Sequence, residues 1–165
     1  MIVRKAKPED AKRVVEINVI GWHTAYKGLV PDDFLDKWQV TNRRIEKFRA
    51  YIEENEGVFL IAEEKGLVIG YLYGGKNTRD VAIPFKYEVH GLYVDPDFQR
   101  QGAGRLLLAK FKEQIQNQAF FLHAMKGNEK AMTFYIKAGG IREPKYDMDH
   151  TWGNMTRRLE AFVFN

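Results

Sequence analysis

Apolar and polar positions along the chain follow two rhythms. MIVRKA alternates with period two, as a short strand does. KPEDAKRVVEINVIGWHTAY reads as a helix. Pro8 sits in its first turn, Glu9 and Asp10 lie at its positive end, and Ala11, Val14, Val15 and Ile17 supply an apolar face. KGLVPDDFLDKW is a turn followed by a short helix from about Pro31. TNRRIEKFRAYIEEN is a further helix with Thr41 or Asn42 as N-cap. GVFLIAEE and LVIGYLYGGK flank the turn EKG as an antiparallel hairpin. YEVHGLYV is a fourth strand, GAGRLLLAKFKEQIQNQ a strongly amphipathic helix, AFFLHAM a fifth strand, and NEKAMTFYIKAGG a helix stopped by glycine. IREPKYDMD and MTRRLEAFVFN supply the last strands. With the short Pro31 helix left aside, the order β-α-α-β-β-β-α-β-α-β-β predicts an α/β chain of the α+β kind: a mixed sheet with helices on its faces.

Composition narrows the chemistry. A length of 165 residues, 45% of them hydrophobic and 29% charged, fits one domain over residues 1–165 with a real core. The net charge of +4 favours anionic ligands. The basic residues are scattered, so nucleic acid is not an expected partner. The absence of cysteine excludes disulfides, thiolate metal sites and a cysteine nucleophile. It fits a reducing cytoplasm. MIVRKAKPEDAKRV lacks the apolar centre of a signal peptide, and no stretch approaches the ~18 apolar residues of a membrane helix, so no membrane partner is expected. Four histidines without H-x-x-x-H spacing imply no metal.

The most informative stretch is VDPDFQRQGAGRLLLAKF, residues 94–111. Asp95-Pro96 ends the strand, because proline cannot donate to the ladder. The chain then enters a helix near Gly102, whose first amides have no internal partner and carry partial positive charge. Gly102 and Gly104 lack Cβ, so a bulky anion can approach the backbone. Amides from Gln99 to Gly104 can wrap a pyrophosphate, with Arg100 and Arg105 adding charge. The bland alternative is a plain turn. Two familiar phosphate motifs fail: Leu107 stands where G-x-G-x-x-G needs glycine, and G-x-x-x-x-G-K-[ST] is absent.

Gln99-x-x-Gly102-x-Gly104 after LYVDP resembles the acetyl-CoA-binding motif of the GNAT superfamily of N-acetyltransferases. NEKAMTFYIKAGG is similar to that family's N-x-x-A-x-x-F-Y-x-x-x-G segment. The segment GWHTAYKGLVPDDFLD resembles a subgroup of small bacterial-type amine and polyamine acetylases. The resemblance implies a GNAT fold, with a mixed, mostly antiparallel sheet in which strands 4 and 5 splay apart around the pantetheine arm of acetyl-CoA. It places the backbone of Leu92, Tyr93 and Val94 along that arm. The loop Gln99, Arg100, Gln101, Gly102, Ala103, Gly104 and Arg105 would hold the pyrophosphate. Asn128 matches the side chain that bonds the pantetheine; on the residues alone it is equally a helix N-cap. Tyr135 matches the general acid that protonates the leaving thiolate, and on spacing alone is a core aromatic.

A substrate ammonium must lose a proton before it attacks. Three residues qualify as its base. Glu88 lies on strand 4, where period two places it on one face with His90, Leu92 and Val94. It matches the family's E-x-x-x-L-Y-V pattern and is the first choice. His90 is one step closer to the thioester, with a suitable ordinary pKa. His123, in LHAMKGN, aligns with a segment where ribosomal-protein alanine acetylases carry a glutamate. On the substrate side, the resemblance points to Trp22, His23 and Tyr26, to Asp147 and Asp149, and to Tyr71 and Tyr73. Aromatics and carboxylates together suit a cationic amine. The expected activity is acetyl transfer to the primary amine of a small molecule in a ternary complex. The alternatives are a protein N-terminal or lysine acetyltransferase, favoured by an open groove, and a non-catalytic acyl-CoA-binding domain. The apolar residues of RRLEAFVFN offer a surface for a homodimer.

Overall fold

The computed structural model describes residues 1–54, 57–79 and 83–165. Among them eight strands form one sheet: β1 (Ile2–Lys5), β2 (Val58–Glu64), β3 (Leu67–Lys76), β4 (Tyr87–Val94), β5 (Phe120–Met125), β6 (Ile141–Arg142), β7 (Met148–Trp152) and β8 (Met155–Phe164). Their order is β1-β2-β3-β4-β5-β8-β6, and β7 also pairs with β8. Every pairing is antiparallel except β4 with β5. The helices are α1 (Ala11–Ala25), α2 (Asp32–Asp36), α3 (Asn42–Glu54), α4 (Ala103–Gln114) and α5 (Glu129–Lys137). This is the mixed, mostly antiparallel sheet expected, with helices on both faces. The expected helix over residues 41–55 is α3; its last residue, Asn55, lies outside the described residues.

The amphipathic patterns become two faces of the sheet. α4 buries Ala103, Leu107, Leu108 and Phe111 against Leu60, Leu72, Val89, Phe120 and Leu122. Truncating the fully buried Phe111 to alanine would cost about 3–5 kcal/mol. On the other face, α1 buries Val14, Val15 and Ile17, and α3 buries Phe48, against Ile61, Val68 and Tyr71. α1 comes close because residue 21 is glycine: a Cβ there would lie 2.5 Å from Cδ1 of Tyr93. Arg13 of α1 ties the same end of β4 by pairing with Asp95 and donating to the Val68 carbonyl.

Three readings need correction. IREPKYDMD is not one strand. Pro144 opens a 3₁₀ turn, Pro144–Tyr146, and Met148 begins β7, a hairpin arm joined to β8 through Gly153 at φ +58°. The first helix does not begin at Pro8, because Pro8–Asp10 forms a separate 3₁₀ turn ahead of α1. The homodimer surface offered by RRLEAFVFN is already used: β8 sits inside the sheet, and Leu159, Ala161, Phe162, Val163 and Phe164 are buried within the chain.

Candidate active site in the split between β4 and β5

β4 and β5 pair only from Tyr87↔Phe120 to Val89↔Leu122. Beyond that point β5 continues with β8, while β4 continues with β3 alone. The two strands part, as the sequence resemblance implied. His90 and His123 are the first residues on the two arms of the split. The Asp95 amide bonds the Ile69 carbonyl at 2.8 Å. Antiparallel alternation then directs the peptide groups of Leu92 and Val94 away from β3, into the split. The Val94 carbonyl accepts there from Gln99 Nε2 at 3.0 Å.

The strand end and helix start form an amide cradle. Asp95 accepts from the Asp97 amide and Pro96–Phe98 turns as 3₁₀. Arg100 and Gly102 both have positive φ, +64° and +94°, which turns successive N–H groups toward one side. No amide from Arg100 to Arg105 donates to a described backbone carbonyl; the first helix-starting bond is Leu106 N–H to Gly102 O at 3.1 Å. A Cβ at Gly102 would meet no atom within 4 Å, so that side is open to a ligand. These bare amides fit a diphosphate. Gly104 has a different reason from the one its spacing suggested. A Cβ there would lie 2.8 Å from Cζ of Phe134, so its bareness seats α5 rather than an anion. Arg105 is drawn away to the Lys137 carbonyl at 3.1 Å.

On α5, Asn128 is an N-cap: its Oδ1 accepts from the Ala131 amide at 3.2 Å. Its side chain also lies beside the Tyr26 hydroxyl, and both residues line the groove. Tyr135 is buried beside Phe134 and Phe162 and also reaches the groove. Burial, with Tyr26 close by, raises its pKa, so its phenol keeps its proton at neutral pH.

Glu88 is only 1% exposed. Arg79 holds it with Nε at 2.8 Å from each carboxylate oxygen and with a terminal nitrogen besides. His90 Nδ1 lies 3.6 Å from Oε2 and His123 Nδ1 3.8 Å from Oε1. Burial pushes the Glu88 carboxyl up, but the Arg79 fork and the nearby His90 outweigh it and leave it below the usual carboxylate range. At 3.8 Å His123 is beyond hydrogen-bond reach, so the Arg79 fork is the firmer hold.

The period-two expectation fails at one residue. Gly74 opposes Val89 and Tyr73 opposes Gly91, so His90 is an extra, bulged residue of β4. Below the bulge Val89 faces α4; above it Leu92 and Val94 do. Glu88 is therefore on the opposite face from Leu92 and Val94. His90 tilts over Tyr73 with ring centres 5.8 Å apart, and its side chain is 31% exposed. Burial lowers its pKa below 6.5, and the pull of Glu88 only partly offsets this. His90 is neutral at pH 7. His123 is buried. Its Nε2 lies 2.9 Å from the Tyr146 carbonyl, which can only accept, so Nε2 carries the proton and Nδ1 is left without a hydrogen-bond partner.

Other expected acceptor residues divide. Trp22, Tyr26 and Tyr73 line the groove. Tyr71 does not: it is fully buried against α1 and α3, held by Asn18 Nδ2 at 2.8 Å. The Tyr93 side chain is partly buried under α1, where its ring packs against Gly21. His23 faces the Trp38 carbonyl at 2.9 Å and fastens α1 to the end of α2. Asp147 and Asp149 pair with Arg142 and Arg158 outside the groove. Sequence reasoning missed Arg79, Trp38, His150 and Trp152. Trp38 stacks on Trp22 at 4.1 Å, Trp152 meets Trp22 edge-on at 5.8 Å, and His150 packs on Trp152 at 4.3 Å. Among the described residues, no group of three or more His, Asp or Glu side chains could hold a metal ion. None of the described helices is long and apolar enough to cross a membrane.

The pattern of the Acetyltransferase (GNAT) family matches residues 22–139. An uncharacterised N-acetyltransferase of Bacillus subtilis, YuaI, is 33% identical over 127 residues, 72% of this chain and 66% of that protein. The N-alpha-acetyltransferase RimI of Mycobacterium tuberculosis is 32% identical over 89 residues, 52% of this chain and 55% of its own. The chain thus spans less than two thirds of the length of these curated relatives. A spermidine N(1)-acetyltransferase of Thermoplasma acidophilum is 22% identical over 144 residues, 83% of this chain and 86% of that protein. Among solved structures, the PaiA N-acetyltransferase of Thermoplasma acidophilum in complex with coenzyme A aligns with a TM-score of 0.71 at 18% identity, covering 97% of this chain and 96% of that one. At that identity it shows a shared fold.

Proposed function

This chain belongs to the GNAT acetyltransferase family, and we propose that it acts as one domain that transfers the acetyl group of acetyl-CoA to a primary amine of a small molecule. The observation that carries the reading is the split after Val89↔Leu122, next to a run of amides with no backbone acceptor. The alternative of a protein N-terminus rests on the RimI relative, which aligns with about half of this chain. The stacked rings of Trp22 and Trp38 line the acceptor end, and an aromatic wall there supports a small-molecule acceptor.

The residues suit the cofactor. Amides of Gln101 to Arg105 would hold its diphosphate, and the peptide edge of Leu92 and Val94 would hold its arm. When bound, acetyl-CoA supplies an activated acyl group, and a neutral amine exchanges for its thiol with formation of an amide. His90 takes the proton that the amine must lose, because it is neutral at pH 7 and open to the groove. Glu88, sequestered by Arg79, serves as the fixed negative charge behind His90 Nδ1 and stabilises the imidazolium. The Leu92 amide, aimed into the split, would polarise the acyl carbonyl. Tyr135, protonated and beside the split, donates to the departing sulfur. Direct transfer to the amine is the natural route in a chain without cysteine.

A thiol-release assay with acetyl-CoA and an amine panel tests this. Turnover that needs both reactants supports it. Coenzyme uptake without thiol release under any amine would leave a non-catalytic acyl-CoA-binding domain.

A further inference from the structure

The acceptor end of the groove carries a charge pattern that acetyl transfer alone does not require. The inference rests on the reading above and names its acceptor. Rings enclose this end. Arg44 lies over Trp38, Trp38 stacks on Trp22, and Trp22 meets Trp152, which carries His150. Across the floor Tyr73 touches both His90 and Tyr51, returning to α3.

Carboxylates are scarce in this enclosure. Among the described residues the groove is lined by only three: Glu54, Glu88 and Glu129. Arg79 pairs with Glu88, Glu129 opens α5 on the coenzyme side, and Glu54 ends α3. The two aspartates that suggested a cationic acceptor, Asp147 and Asp149, are outside. Meanwhile Lys37, Arg43, Arg44 and Lys47 line the wall from α2 to α3. A polyamine would meet these cations, and among the described residues the only carboxylate on this wall is Glu54, exposed at the end of α3.

Arg44 is the built feature of that wall. Its guanidinium carbon sits 3.6 Å from the centre of the Trp38 ring. The indole is itself fixed, its Nε1 donating to Asn18 Oδ1 at 3.1 Å. No carboxylate among the described residues pairs with Arg44, and it is half-buried. A guanidinium seated over an indole can keep its edge donors free, in the fork that fits a carboxylate or phosphate.

We propose that the acceptor is a small primary amine that also bears a carboxylate or phosphate, the anionic group being gripped by Arg44 with Lys47 alongside while the amine faces His90. Anion and aromatic wall together then choose the substrate, and the amine is only the reacting end.

The experiment is thiol release from acetyl-CoA with 4-aminobutyrate, L-methionine, phosphoethanolamine, putrescine, spermidine and an uncharged tripeptide amide, on the wild type, Arg44→Gln and Arg44→Lys. The proposal expects turnover of the anionic amines in preference to the diamine and triamine. Preference between L-methionine or 4-aminobutyrate and phosphoethanolamine tells carboxylate from phosphate. Arg44→Gln should raise KM for the anionic amine about 10- to 100-fold with little change in kcat. Arg44→Lys should recover only part of the loss, because it restores charge without the fork. Turnover confined to putrescine, spermidine or the peptide overturns the proposal, as does an Arg44→Gln effect equal for all amines. Turnover of none also overturns it; coenzyme A calorimetry run in parallel then shows whether the acetyl-transfer reading falls too.

Discussion

Arg79 Nε lies 2.8 Å from both oxygens of Glu88, and that carboxylate is 1% exposed. The pair converts what strand position suggests is a proton acceptor into a fixed charge at the root of the split. Removing one partner strands the other. Glu88→Gln is expected to lower unfolding stability by about 3 kcal/mol, and adding Arg79→Met should restore part of it. The wild-type contribution also depends on pH. The folded carboxyl titrates below its usual 4.5, so the unfolded chain binds more protons. This stabilisation is present above pH 4.5 and is lost as pH falls through the lower folded value. Urea melts from pH 3 to 7 on the wild type and both variants measure it.

The bulged His90 should govern the acid limb of the rate profile. Burial holds its pKa below 6.5, and its neutral form is the one that takes a proton. kcat/KM is expected to rise with pH through a value below 6.5 and to lose that limb in His90→Ala, with a drop of ~10² or more. Glu88→Gln removes the charge that favours imidazolium, so its acid limb should move to lower pH.

The paired glycines should fail for different reasons. Gly102→Ala forces a side chain into φ +94° and costs about 1–2 kcal/mol of loop strain, with weaker coenzyme A uptake. Gly104→Ala drives a methyl group into the Phe134 ring and displaces α5, at about 1–3 kcal/mol. Trimming that ring in Gly104→Ala/Phe134→Leu should recover binding, whereas Phe134→Leu should do nothing for Gly102→Ala. Calorimetry on the four proteins checks this.

Tyr135→Phe should separate binding from chemistry. The hydroxyl is lost while the ring that packs on Phe162 stays. kcat is expected to fall ~10²-fold, with coenzyme A affinity within about twofold. A rate unchanged by the substitution would move the thiolate's proton donor elsewhere.

What the sequence carried was local. The strand stop at Asp95-Pro96, the bare amides around Gly102 and the Asn128 cap each follow from a few neighbouring residues, and their spacing placed them correctly. The failures are long-range. The bulge at His90 arises because Tyr73 of β3 opposes Gly91, a relation no pattern within YEVHGLYV contains, and it moves Glu88 to the other face. Gly104 answers to Phe134, thirty residues on. Tyr71 looked like a cleft residue until Asn18 and Phe48 covered it. Arg79, Trp38 and Trp152 carry no motif, and only the closing of the sheet and helices brings them to the site.

We propose that the open amides from Arg100 to Arg105, beside the parted strands, hold the diphosphate of coenzyme A. Titration calorimetry of coenzyme A into the folded protein tests it most directly, with 3′-dephospho-coenzyme A and pantetheine as partners. Saturable uptake of one coenzyme A per chain is expected, with most of the affinity kept without the 3′-phosphate and lost for pantetheine, which lacks the diphosphate. Equal binding of pantetheine and coenzyme A, or no heat from either with protein whose near-ultraviolet circular dichroism is that of a folded chain, would contradict it.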